Sequence, residues 1–303
     1  MALGIGDDGA LVNPSTNTQL VVATDTLVES VHFPAYASAE QIATRALCVN
    51  LSDMAAMGAT PRWFTLALTL EKADTDWLEG FSRGLAEVAN EFGIALIGGD
   101  TTSGPLTISL TLLGEVPVDA ALQRNGASPG DSIYVTGTLG DGAAGLKVIE
   151  QAGGENLVLD SGTERLLTRF YRPQPQVQVG QQLRDLASAC IDISDGLVAD
   201  LGHICKASAV SASLVSKQLP IHPEVTQRYP QQALHWALAG GDDYQLCFTV
   251  PKTNCETLDR LIAKGELDAT VIGQIQPLRE ENCQLVVDNI AADINGGFDH
   301  FGQ

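Results

Sequence analysis

The sequence predicts a two-domain protein of α/β (α+β) class, and two observations carry that expectation. Apolar residues make up 45% of 303 positions, enough to give each half its own packed core. Stretches rich in strong β-formers also alternate along the chain with Ala-rich stretches of helical period.

The first half reads as strand 18–24 (TQLVVAT), helix 38–57, strand 63–70, helix 75–92, then strands 94–98 and 106–113. Gly58 and Pro61 close the first helix. The turn-rich run NGASPGD at 125–131 marks a boundary, so the domains are expected at 1–124 and 125–303. The second half begins with strand 132–137 and helices 140–152, 162–170 and 176–188. Strand 190–194, helices 196–207 and 231–238, strand 244–250, helix 253–264 and strand 270–275 follow. No short-period repeat or low-complexity segment interrupts them.

Charge narrows the function. Asp and Glu number 37 against 17 Lys and Arg, a formal charge of −20. That balance argues against a nucleic-acid partner or an anionic membrane surface. Most of these acids read as a solubilising surface. Anionic substrates would need divalent cations to bridge protein carboxylates to phosphates. The six cysteines (Cys48, Cys190, Cys205, Cys247, Cys255, Cys283) form no C-x-x-C pair, and no His pair has metal-ligand spacing. Both facts argue against zinc and suit reduced thiols. No run approaches the ~18 apolar residues of a membrane span. The N-terminus lacks the basic segment and apolar core of a signal peptide, so a cytoplasmic protein is expected.

Acidic residues cluster where strands end: Asp7-Asp8, Thr24-Asp25-Thr26, Ser52-Asp53, Gly99-Asp100-Thr101, Asp192-Ile193-Ser194-Asp195 and Gly241-Asp242-Asp243. Ligands of α/β folds gather at such ends. Asp53 is the most informative. On a helical wheel Gln41, Thr44, Arg45, Cys48 and Ser52 form the polar arc, whereas Asp53 falls beside Ile42, Ala46, Val49 and Met57. A carboxylate on an apolar face is costly unless compensated. The compensator is a cation, a salt bridge to Arg45 or Arg62, or hydrogen bonds to a loop. Oxygen ligands without His or Cys suit Mg²⁺ or Ca²⁺. Several loops each offering one Asp look like a multi-metal phosphate site, because Mg²⁺ shares its remaining positions with phosphate and water.

Other motifs are absent or weak. There is no Walker A sequence, no protein-kinase signature and no G-x-S-x-G elbow. Gly140 to Gly145 spells G-x-G-x-x-G, but helices follow and Asp141 would face a pyrophosphate with like charge. It reads as a tight strand-to-helix turn. Asp7-Asp8 as a phosphatase nucleophile is a weaker alternative, since no strand runs into it.

Taken together, several strings resemble the thiamine-monophosphate kinase family. They are Gly4-Ile5-Gly6-Asp7-Asp8, Thr24-Asp25-Thr26-Leu27 with His32-Phe33, Asn50 to Ala59, and Gly98-Gly99-Asp100-Thr101-Thr102. In the second half Arg124 to Asp131, Asp192 to Leu197, Gly240 to Tyr244 and Gly297 to Phe301 agree, in the family's order. The resemblance implies a two-domain aminoimidazole-ribonucleotide-synthetase-like fold. In that fold the N-terminal domain dimerises to build a shared β-barrel, and ATP with several Mg²⁺ ions lies between the domains.

The resemblance also implies site residues. Asp8, Ala23, Thr24, Asp25, Asp53, Asp100, Asp192 and Asp195 would bind metal, Ala23 through its backbone carbonyl because a serine can occur there. Gly99, Asp100, Arg124 and Ser194 would contact ATP. His32, Asp242 and Phe298 would line the acceptor pocket, with Asp242 one methylene shorter than the Glu common in the family. The family also carries a further stretch ahead of Gly-Asp-Asp, so a misassigned start or a missing helix is expected here.

The implied reaction is direct in-line transfer of phosphate from ATP to thiamine monophosphate. A phosphate oxygen would be the nucleophile, so no general base is required, and catalysis would rest on positioning and charge neutralisation. Arg124 would hold phosphate oxygens, and Phe298 with Asp242 would suit a cationic thiazolium. The alternatives are a non-catalytic Mg-nucleotide-binding protein or a related synthetase. Selenophosphate synthesis would need a reactive Cys near the start, and none precedes Cys48.

Overall fold

A computed structural model describes residues 4–153, 160–278 and 283–292. The first lobe holds strands β1 (Thr18–Val28), β2 (Thr60–Leu70), β3 (Ala95–Ser103) and β4 (Thr107–Pro117). Helices α1 (Ala39–Ala56) and α2 (Thr75–Phe92) connect them. The sheet order is β1-β4-β2-β3, with β4 antiparallel to β1 and β2, and β2 parallel to β3. Period-two alternation along β4 sends Ile108, Leu110 and Leu112 into the core. The opposite face is hydroxyl-rich: Thr24 bonds Thr111 at 2.9 Å, and Thr26 bonds Ser109 at 2.7 Å, across the strands. Leu20 and Val22 are exposed on that face. β1 and β3 are both edges, so the sheet is open and does not form a closed barrel within one chain.

Helix α1 starts at a capping box between Ser38 and Gln41. From Ile42 to Ala56 every residue except Asp53 is buried. The expected polar arc therefore does not face water. It turns towards the second lobe, where Ser52 Oγ donates to Asp192 at 2.7 Å and Arg45 donates to the carbonyl of Phe170. Buried polar groups demand such partners, and a wheel drawn for a surface helix cannot supply them.

The second lobe runs β5 (Ser132–Thr136), α3 (Asp141–Ala152), α4 (Ser161–Tyr171), α5 (Val177–Leu183), β6 (Ala189–Asp192) and α6 (Leu197–Ser208). β7 (Ser211–Leu214), α7 (Pro223–Arg228), α8 (Ala233–Ala239), β8 (Leu246–Val250) and α9 (Lys252–Ala263) follow. The last are β9 (Ala269–Gln276), β10 (Leu285–Val287) and β11 (Ile290–Ala292). Their sheet has the order β11-β10-β7-β9-β5-β8-β6. The expected helix 176–188 stops at Leu183, and the amides of Leu186 and Ala187 both fold back onto its carbonyl. The lobes meet at α1. A Cβ on Gly180 would lie 2.0 Å from the Ala55 carbonyl, so glycine is what lets α5 lie against α1. Among the described residues no helix is long and apolar enough to cross a membrane.

Candidate functional site

Two cavities lie where the lobes meet, of about 460 and 500 Å³, and Asp53 and Asp192 line both. α1 presents Asp53 near its C-terminal end, and β6 ends on Asp192. Asp25, Ser194 and Asp195 line the first cavity with them. Asp25 sits on β1, its backbone N–H donating to the Asn50 side chain at 3.2 Å. Thr24, His32 and Asp242 also line the first cavity, while Ala23 and Arg124 line the second.

These carboxylates are crowded and poorly compensated. Burial and the charge of Asp192 push Asp25 up to about 6. Burial, then Asp192 and Asp25, push Asp53 up to about 8, with Arg124 pulling the other way. Burial also raises Asp192, opposed by the Ser52 hydroxyl and Arg124. The arginines that could have neutralised Asp53 are engaged elsewhere: Arg45 pairs with Asp242 at 2.6 Å and Arg62 with Glu115 at 2.9 Å. Among the described residues Asp25, Asp53 and Asp192 have no ion-pair partner. Three acids raised together by burial and mutual repulsion are a site that lacks positive charge.

The donor set is hard oxygen throughout, which fits Mg²⁺. Among the described residues no three His, Cys, Asp or Glu side chains stand close enough to hold an ion by themselves.

Other predicted positions lie elsewhere. Asp8 and Asp100 are exposed and, with Gly99, line neither cavity. Gly99 has a local reason to be glycine, since a Cβ there would come within 1.9 Å of the Leu66 carbonyl on β2. Phe298 and the closing Gly-Phe-Asp-His-Phe lie outside the described residues.

Two aspartates outside the expected metal set do structural work. Asp200 accepts hydrogen bonds from the backbone N–H groups of Ser194, Asp195 and Gly196 at 3.0–3.1 Å, fixing the loop that carries Ser194 and Asp195. Asp243 accepts from the N–H groups of Gly140 and Gly142 at 2.7 and 3.1 Å. A protein carboxylate thus takes two amides of the tight strand-to-helix turn at the start of α3, the donors that a pyrophosphate would need. Arg45 and Tyr244 also line the first cavity. The sequence points to Arg45 only as a partner for Asp53 and to Tyr244 only within the Gly-Gly-Asp-Asp-Tyr string.

Comparison with known proteins gives the class first. The AIR synthase related protein N-terminal domain matches residues 6–116, and the C-terminal domain of the same name matches 128–286. The chain is 47% identical over 302 residues to thiamine-monophosphate kinase of Escherichia coli K12, covering 99% of this chain and 92% of that one. Thiamine-monophosphate kinase from Stenotrophomonas maltophilia superposes with a TM-score of 0.89 at 46% identity, covering 96% and 92% of the two chains. AaThiL complexed with AMPPCP and TMP superposes at 0.84 with 32% identity, covering 98% and 92%. The chain belongs to the AIR synthase related family, within its thiamine-monophosphate kinases.

Proposed function

We propose that this chain transfers the γ-phosphate of ATP to thiamine monophosphate, giving thiamine diphosphate. The observation that carries the reading is that two cavities share Asp53 and Asp192, two carboxylates that form no ion pair among the described residues. Full-length identity to thiamine-monophosphate kinases supports it, as does a relative that holds AMPPCP and TMP together.

The acceptor occupies the first cavity, against His32 and Asp242, with the apolar side chains of Leu27, Val31 and Val49 beside its rings. Arg124 lies on the nucleotide side and steadies phosphate oxygens. Ser194 lies at the junction with Asp195, on a loop held by Asp200. The residues that would hold Mg²⁺ are Asp25, Asp53, Asp192 and Asp195, with Thr24 and the Ala23 carbonyl beside them. When bound, Mg²⁺ supplies the positive charge that lets two polyanions approach. The nucleophile is a phosphate oxygen already ionised near neutral pH, so the protein's task is alignment, and no side chain need remove a proton.

Gly99 and Asp100, on β3, enter through a homodimer. Within one chain β1 and β3 are opposite edges of the sheet, roughly three strand spacings or ~14 Å apart. Two copies joined through their open sheets would build the barrel and offer β3 a route to the β1 edge of the other copy. The exposed Leu20 and Val22 on β1 support this, since such side chains are costly on an unpartnered face. ATP as co-substrate and six free thiols support a cytoplasmic setting.

The test is an ADP-release assay with Mg²⁺ over a panel of phosphorylated acceptors, run beside light scattering. Release with thiamine monophosphate above the other acceptors, from a particle of twice the chain mass, is expected. Nucleotide binding without release would remove the kinase reading, and a single-chain mass would remove the barrel.

A further inference from the structure

One guanidinium, buried to 2% exposure, ties together the two sides of the acceptor cavity. Arg45 Nε donates to the His32 carbonyl at 2.9 Å, Nη1 to the Phe170 carbonyl at 2.7 Å, and Nη2 to Asp242 Oδ1 at 2.6 Å. Its carbon lies 4.0 Å from the centre of the Phe170 ring. Tyr244 Oη donates to the same Asp242 Oδ1 at 3.0 Å. Helix α1, the loop after β1, the end of α4 and the loop before β8 therefore converge on one side chain.

We infer that Arg45 is a positioning residue for acceptor recognition, holding His32 and Asp242 at a fixed separation across the first cavity. This rests on the reading that the acceptor binds there. The argument is geometric. Asp242 adopts φ 60°, a left-handed backbone that non-glycine residues rarely take, so something must hold it. Its backbone N–H donates to the Ser194 carbonyl at 2.8 Å, and its side chain is clamped by Arg45 and Tyr244. Both clamps use Oδ1. Oδ2 accepts no hydrogen bond among the described residues, and the side chain lines the cavity at 26% exposure. The carboxylate is thus locked in orientation while one oxygen stays available to a cationic ring. The planar fork of arginine suits this role, because it reaches three acceptors on three segments at once. A lysine at this position keeps the charge and loses the fork.

The test compares wild type, Arg45→Lys and Tyr244→Phe by turnover, by calorimetric binding of thiamine monophosphate in the presence of AMPPCP, and by melting temperature. Arg45→Lys should raise the KM and Kd for thiamine monophosphate by about tenfold or more while the KM for ATP stays within about twofold. Tyr244→Phe should give a smaller rise of about threefold in the same acceptor constants. A lower melting temperature with unchanged acceptor constants, or equal shifts for ATP and acceptor, would overturn the inference. If Arg45→Lys does not fold, Tyr244→Phe decides, and an unchanged acceptor KM there counts against it. Wild type that binds acceptor without turnover removes the kinase reading, and the binding constants still judge Arg45. Wild type that binds no acceptor overturns both.

Discussion

Asp141 and Asp243 around the start of α3 are buried, as is Asp192 where the cavities meet with the half-buried Asp53 beside it, yet their surroundings differ in kind. Asp141 takes a bidentate contact from Arg165 at 2.6 and 2.8 Å, with Arg169 at 3.4 Å. Asp243 takes two backbone amides. Asp53 has only the more distant pull of Arg124 against the repulsion of Asp192 and Asp25. The difference teaches how to separate structural acids from functional ones. A buried carboxylate whose partners are complete contributes to the fold, and one whose partners are missing awaits a ligand.

Exchanging charge for amide at the two places breaks the comparison most sharply. Asp53→Asn should lower turnover by about a thousandfold, with a melting temperature in the absence of Mg²⁺ at or above wild type. Asp141→Asn should cost about 3 kcal/mol of stability by stranding the two arginines, with turnover per folded molecule changed by less than about threefold. Parallel thermal melts and ADP-release rates check both. An active Asp53→Asn variant, or an unharmed Asp141→Asn fold, would erase the distinction.

A smaller effect sharpens it. Burial pushes Asp243 up to about 7 although the amides of Gly140 and Gly142 pull it down. The folded chain therefore binds this proton more tightly than the unfolded chain. The stability it contributes is full below the ordinary value of 3.8 and is lost as pH rises towards about 7. Asp243→Asn should flatten the melting-temperature curve across that window relative to wild type. Parallel curves would mean that the helix start pays nothing for the carboxylate charge.

Much of this was legible in the sequence, for identifiable reasons. Long elements declared themselves, such as β4, expected at 106–113 and found at Thr107–Pro117, and α1, expected at 38–57 and found at Ala39–Ala56. β7, α7, β10 and β11 are three to six residues long, too short for any period to register. Asp53 stood out because it broke an apolar face. Arg45 did not, because on a wheel it joined an apparently solvated arc, and only the second lobe turns that arc into an interior. Asp200 and Asp243 carry the same letter as the cavity acids. What distinguishes them is which backbone amides they meet, and that is decided by loops folding back over a distance no local pattern encodes.

The most direct test of the central claim is anomalous diffraction from crystals grown with Mn²⁺ in place of Mg²⁺, AMPPCP and thiamine monophosphate. The account predicts metal peaks within about 2.5 Å of carboxylate oxygens of Asp53 and Asp192, between the two ligands' phosphates. Both ligands bound with no peak at those side chains would contradict it.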